Sequence, residues 1–335
     1  MKLLVTGGCG FIGSNFINIS IKKGIKIINI DKLTYASNIY KIKKNKKNYI
    51  FYKCDILNKK KLNQIFLKHN PDGVIHFAAE SHVDRSIENP EIFFQSNTIG
   101  TVRLLEIVKE YLYKRKKKFK FVHVSTDEVY GSLNTIEKSF TEKNKFFPNS
   151  PYAASKAASD LIVRAYFKTF NLPVITTNCS NNYGKGQYFE KLIPLIISNA
   201  LKGKKLPIYG NGLQIRDWLY VDDHCDAILK IFKKGIIGET YNIGGDNEIK
   251  NIYLVRKICR YLDDKFNRTK KNSFLNLIEF VKDRPGHDFR YSINSKKLKK
   301  ELGWKPMNTF DKGIKLTIDW YLEQLKFKNY EKFKQ

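Results

Sequence analysis

Residues 2–15 read KLLVTGGCGFIGSN. Leu3, Leu4 and Val5 suit a buried strand, and a helical pattern opens at Phe11. Between the two stand Gly7, Gly10 and Gly13. Glycines at such a junction permit a tight turn and let backbone N–H groups approach a pyrophosphate at a helix N-terminus. A plain turn uses glycines as well, so the next strand matters. It reads IKIINID and ends on Asp31, 18 residues beyond Gly13. An acidic side chain there hydrogen-bonds ribose hydroxyls and disfavours the extra phosphate of NADP. NAD is therefore the expected cofactor, held by Gly7, Gly10, Phe11, Ile12 and Gly13 with Asp31 and Lys32. The charge of Lys32 keeps NADP open as an alternative.

The pattern continues outward from this motif. NYIFYKCDI forms a third strand, which puts Asp55 and Ile56 near an adenine or simply at a strand exit. A helix follows through NKKKLNQIFLKH, and DGVIHFAA is a fourth strand, bringing Ala78 to the same edge. A long helix is expected within residues 90–113, a strand in FKFVHVST, a helix from about Pro151 to Phe170 and a sixth strand in PVITTNC. Strands alternating with helices imply βαβ units and a mostly parallel, doubly wound α/β sheet. The later chain is less regular: EKLIPLIISNALKG is helical, whereas PIYGNG and GETYNIGG carry turn residues. The expected domains are a Rossmann-type NAD-binding unit over 1–175, with segments returning from about 210–240, and a smaller substrate lobe over 176–335 interleaved with it.

Composition narrows the class. An apolar fraction of 42% in 335 residues is ample for a folded core. No run approaches the ~18 apolar residues that span a bilayer. The start MKLLVTGG is too short for a secretory signal. The five cysteines are scattered without metal spacing, which fits reduced thiols in the cytoplasm. The net charge is +29, with lysine runs at 41–47 and 114–118, yet only ten of the 61 basic residues are Arg. Lysine drift in loops explains this better than a nucleic-acid surface, so neither nucleic acid nor membrane is an expected partner.

YAASK places Tyr152 and Lys156 four residues apart, on one face of a helix. A Lys⁺ beside a phenol favours phenolate, and such a Tyr can take a hydroxyl proton while hydride leaves the same carbon. With the glycine motif, this pair resembles the extended short-chain dehydrogenase/reductase family.

Hydride transfer alone does not explain STDEVYG, where Asp127 and Glu128 adjoin at the end of a core strand. A 4-epimerase only oxidises and reduces C4, and typically has small hydroxyl residues at these positions. A 4,6-dehydratase must also remove the C5 proton and protonate the hydroxyl leaving C6, tasks that need a base and an acid. The ordered segments AAESHVDRSI, STDEVYG, SPYAASKAASD, NCSNNYG, YFEKLIP, DWLYVDDHCDAI, YNIGG and DRPGHD resemble the dTDP-glucose 4,6-dehydratases over most of the chain. UDP- or CDP-glucose stays open as a substrate, and so, less favoured, do a UDP-sugar 4-epimerase and a non-catalytic NAD-binding role.

The resemblance implies Tyr152 as base at C4 aided by Thr126 and Lys156, Asp127 as acid at C6 and Glu128 as base at C5. It implies dTDP-glucose contacts from Ser81, His82, Thr126, Asn181, Glu190, Lys191, Tyr209, Arg216, Asn251, Arg284 and His287. It also implies a homodimer through helices near 91–113 and 151–170. Two positions depart from the family pattern. Cys9 replaces a smaller residue between the glycines, and Phe289 stands where an Arg is common.

Overall fold

Leu3 and Val5 turn to one face of the first strand, where they pack with Phe16, Ile17, Ile228 and Phe232. Leu4, between them, packs on the other face with Leu62, Phe66, Leu104 and Val108. A strand apolar on both sides needs helices on both sides, as the period of two requires. The computed structural model describes residues 1–37, 42, 47–115 and 117–325. Most of the lysine run at 41–47, and Lys116, lie outside the described residues.

In chain order the first half comprises β1 (Lys2–Thr6), α1 (Phe11–Lys22), β2 (Lys26–Asp31), β3 (Tyr49–Lys53), α2 (Lys59–His69) and β4 (Gly73–His76). It continues with α3 (Val83–Glu88), α4 (Pro90–Phe93), a π-helical turn (Phe94–Ile99), α5 (Gly100–Lys114) and β5 (Lys120–Thr126). A 3₁₀ turn (Asp127–Tyr130), α6 (Pro151–Phe170) and β6 (Val174–Cys179) follow. The later chain carries β7 (Asn181–Tyr183), α7 (Leu192–Leu201), β8 (Leu206–Tyr209), β9 (Ile215–Tyr220), α8 (Val221–Lys234) and β10 (Thr240–Ile243). It ends with β11 (Glu248–Lys250), α9 (Asn251–Lys265), β12 (Ile278–Val281), α10 (Lys296–Leu302) and α11 (Phe310–Gln324).

Seven parallel strands form the main sheet in the order β10-β6-β5-β4-β1-β2-β3. The order reverses between β1 and β4, and ligands bind such sheets outside the strand ends at that reversal. The GETYNIGG segment, read as a turn, instead supplies the seventh strand. α8 carries the chain across to it, and Tyr241 and Ile243 are buried beside β6.

A second core joins α7, β8, β9, α9 and α11 through Ile197, Ile208, Trp218, Ile258 and Ile318. Small sheets of order β11-β9-β7 and β12-β8 edge this lobe. Among the described residues, no helix is long and apolar enough to cross a membrane.

Candidate active site

Gly7 sits at φ +69°, and a Cβ there would lie 2.6 Å from the backbone nitrogen of Ala78. A Cβ on Gly13 would lie 2.4 Å from the Gly7 carbonyl. Only glycine lets β1, α1 and the end of β4 approach this closely. Gly10 precedes α1 with no side-chain cap, so no side chain stands between the helix-start amides and the cleft. Asp31 braces the turn: its Oδ2 accepts from the Cys9 N–H at 2.9 Å, and its Oδ1 accepts from the Leu33 N–H at 2.7 Å and the Ser37 hydroxyl at 3.0 Å. A cradle of backbone amides beside a carboxylate fits the pyrophosphate and ribose of NAD. Phe11, Ile12, Lys32, Asp55, Ile56 and Ala78 line the same cleft. The Lys32 ammonium lies 3.1 Å from Glu80 Oε1 and gives a hydrogen bond to Ser96 Oγ at 3.1 Å.

Cys9 fits its place. Its side chain is fully buried and accepts from Asn29 Nδ2 at 3.3 Å. Burial, with Asp31 second, pushes the thiol up to about 12, so it stays an inert neutral group.

The far wall is built by β5 and α6. Ser150 accepts from the Ala153 N–H at 3.1 Å and Pro151 occupies the first turn, a paired start signal that fixes where α6 begins. Tyr152 and Lys156 thereby face the cleft, as do Thr126, Asp127 and Glu128 at the end of β5. Lys156 Nζ donates to the Val124 carbonyl at 2.9 Å. The Thr126 hydroxyl accepts from the Glu128 N–H at 3.3 Å and starts the 3₁₀ turn that swings both carboxyls inward.

The two carboxyls differ in their surroundings. Burial drives the Asp127 carboxyl well above the usual range, and Glu128 and Asp217 push it further. Asp127 Oδ2 is buried with no partner among the described residues. Burial also raises Glu128, but Arg284, Lys191 and Arg216 oppose the rise. One group is thus held as an acid while three cations favour the anion of the other. Tyr152 differs from expectation. Burial first, and Glu128 next, raise its phenol well above 10, against the hydrogen bond from Thr126. The chain's own charges favour the phenol over the phenolate.

On the substrate side, Ser81, Asn181, Glu190 and Lys191 line the cleft. Lys191 Nζ reaches the Ser81 carbonyl at 2.9 Å, and Glu190 accepts from the Tyr35 hydroxyl at 2.9 Å. His82 caps α3 and lies 3.9 Å from Glu190. Tyr209, Arg284 and His287 do not line that cleft. They gather beside it around two carboxylates: Arg284 and Tyr209 bond Asp84 at 3.2 and 3.3 Å, and His287 meets Asp283 at 2.6 Å. Arg216 is buried and stacks 4.2 Å above the Tyr291 ring, while Asp217 accepts from the Gly245 and Asn247 amides instead. Asn251 opens α9, with its side-chain oxygen buried and unpartnered among the described residues.

Comparison with known proteins places these features in a family. The GDP-mannose 4,6 dehydratase family model matches residues 4–317. The chain belongs to that dehydratase family. It is 53% identical over 325 residues to a dTDP-glucose 4,6-dehydratase of Xanthomonas campestris, covering 95% of this chain and 92% of that one. A crystal structure of dTDP-glucose 4,6-dehydratase from Bacillus anthracis in complex with NAD is 48% identical, with a TM-score of 0.87 and 98% of each chain covered. A UDP-glucose 4-epimerase from Thermotoga maritima with UDP-glucose is 28% identical, yet its TM-score is 0.86 over 97% of this chain and 100% of that one. Fold alone therefore does not separate a dehydratase from an epimerase.

Sequence reasoning passed over Tyr291. In this dehydratase-family chain its ring lies under Arg216 and its hydroxyl donates to Asp288 Oδ2 at 2.5 Å, while burial first, and Glu128 next, raise its phenol. Its position two residues after Phe289 was the available signal. Phe289 itself contributes its carbonyl to Arg216 at 3.3 Å, so at this position the backbone supplies the polar contact.

Proposed function

We propose that the chain is a dTDP-glucose 4,6-dehydratase, forming dTDP-4-dehydro-6-deoxyglucose and water. The observation that carries this reading is Asp127, buried, and Glu128, partly buried, sharing one cleft with Tyr152 and Lys156. Bound NAD supplies a hydride acceptor at C4 and a hydride source at C6, so it is restored in each turnover. Tyr152 takes the C4 hydroxyl proton as the phenolate, which the positive charge of the bound nicotinamide would favour, with Thr126 and Lys156 beside it. Glu128, ringed by Arg216, Arg284 and Lys191, removes the proton on C5. Asp127, held protonated by burial, gives its proton to the hydroxyl leaving C6.

Asn181, Glu190, Lys191, Ser81 and His82 then surround the sugar. Arg216, Arg284 and His287 meet the diphosphate through charge-assisted bonds. Tyr209 offers its exposed face to thymine, and Asn251 completes the nucleotide end. Exposed Ile92, Ile99 and Leu161 on α4, the π-helical turn and α6 support a homodimer through those helices. Five free, buried thiols support a cytoplasmic setting.

Purified protein incubated with dTDP-glucose and NAD, without added reductant, is expected to form the 4-keto-6-deoxy sugar. Unchanged sugar would refute the reading. UDP-, CDP- and GDP-glucose run in parallel report the nucleotide preference.

A further inference from the structure

Beneath the catalytic wall lies a polar cluster that the proposed chemistry does not use. Asp160 follows Lys156 by one turn of α6, and its neighbours are His123 on β5 and Asn178 on β6. Asp160 is 4% exposed, Lys156 3%, and His123 and Asn178 are fully buried. A buried ammonium is costly unless an opposite charge offsets it. The four-residue spacing on one helix face puts that charge in reach. Burial lowers the proton affinity of Lys156 and Asp160 opposes the loss; burial pushes Asp160 up to about 6 and Lys156 opposes that rise.

Asp160 is itself fixed in place. Its Oδ2 accepts from Asn178 Nδ2 at 2.9 Å, and the same amide group donates to the Thr126 carbonyl at 3.2 Å. Its Oδ1 lies 3.1 Å from His123 Nε2. Burial, and Lys156 next, keep His123 well below its ordinary range and hence neutral. Asp160 is therefore the carboxylate that the cluster sets against Lys156. It is also the link through which α6 is registered to the strand end carrying Thr126.

We propose that Asp160 is a positioning residue for the reaction, the fixed counter-charge that keeps Lys156 an ammonium and, through Asn178, aligns it with Thr126. The proposal rests on Tyr152 and Lys156 being the C4 oxidation pair. Asp160→Asn keeps the shape and removes the charge, so it separates this role from simple packing.

Two measurements on NAD-loaded protein test it. Thermal unfolding is compared for wild type, Lys156→Met, Asp160→Asn and the double variant. Lys156→Met strands a buried carboxylate and lowers the midpoint, and adding Asp160→Asn recovers most of that loss. Losses that simply add would overturn the pairing. In single turnovers with dTDP-glucose, Asp160→Asn slows the appearance of reduced nicotinamide roughly tenfold or more, with KM nearly unchanged. A wild-type rate in that variant would also overturn the proposal. Absence of reduced nicotinamide in the wild type itself would instead count against the functional reading, and the unfolding cycle judges the pairing in either case.

Discussion

Asp127 and Glu128 are neighbours in the chain and both are raised by burial, but other carboxylates push Asp127 further while three cations oppose the rise of Glu128. The pair itself was legible as STDEVYG, and Tyr152 with Lys156 as YAASK. Their inequality was not, because Asp217, Lys191, Arg216 and Arg284 arrive from segments 60 to 160 residues away. Glu128→Gln is expected to suppress C5 proton removal by about 10²–10⁴-fold while C4 oxidation continues. Reduced nicotinamide would then build up on the enzyme, and full product formation would sink the C5-base role. A second expectation concerns stability. Asp127 has a folded-state value raised above its unfolded one, so its contribution is full below the ordinary carboxylate range and is lost as pH rises through the raised value. Asp127→Asn, which stays neutral, should gain melting temperature over wild type progressively as pH increases. A difference that stays flat with pH would contradict the buried-acid assignment.

Among the elements, the expected helix within 90–113 is three pieces, with the π-helical turn widening its middle. Such turns have no sequence signature, since they insert one residue without changing the apolar pattern much. The cause shows only in space. Asn97, on that turn and 1% exposed, accepts from the Glu80 N–H at 2.8 Å and donates to the Glu80 carbonyl at 3.0 Å and to Ser155 Oγ at 2.8 Å. One side chain thus ties the β4–α3 connection, on the cofactor side, to α6. Asn97→Ala leaves buried donors and acceptors unpaired and should cost about 1–3 kcal/mol, read by denaturant unfolding. Faster loss of bound NAD on dialysis is expected with it, and retention equal to wild type would argue against this coupling. β10 was missed for a related reason. The glycines of GETYNIGG suggested a turn, while burial of Tyr241 and Ile243 beside β6 decides the matter in three dimensions.

The whole molecule presents Ile99 at 40% and Leu161 at 56% exposure on neighbouring elements. Replacing Leu161 by Arg should convert the proposed homodimer into a monomer in sedimentation at micromolar concentration, because a buried unpaired charge offsets much of an interface's stability. An unchanged mass would remove this face from the assembly. The alternation of strands and helices was readable through β6, where each unit is local, and faded where the chain begins to cross between the sheet and the second lobe. That crossing bears on the nascent chain. β6 ends at Cys179, but β10, which covers its open edge, ends at Ile243. At a translation rate of ~5–20 residues per second, the ribosome needs roughly 3–13 s to supply it. Throughout that interval a strand of Val174, Ile175 and Thr176 offers unpaired backbone groups to other chains. Synthesis stalled between β7 and α8 would therefore release an adhesive product.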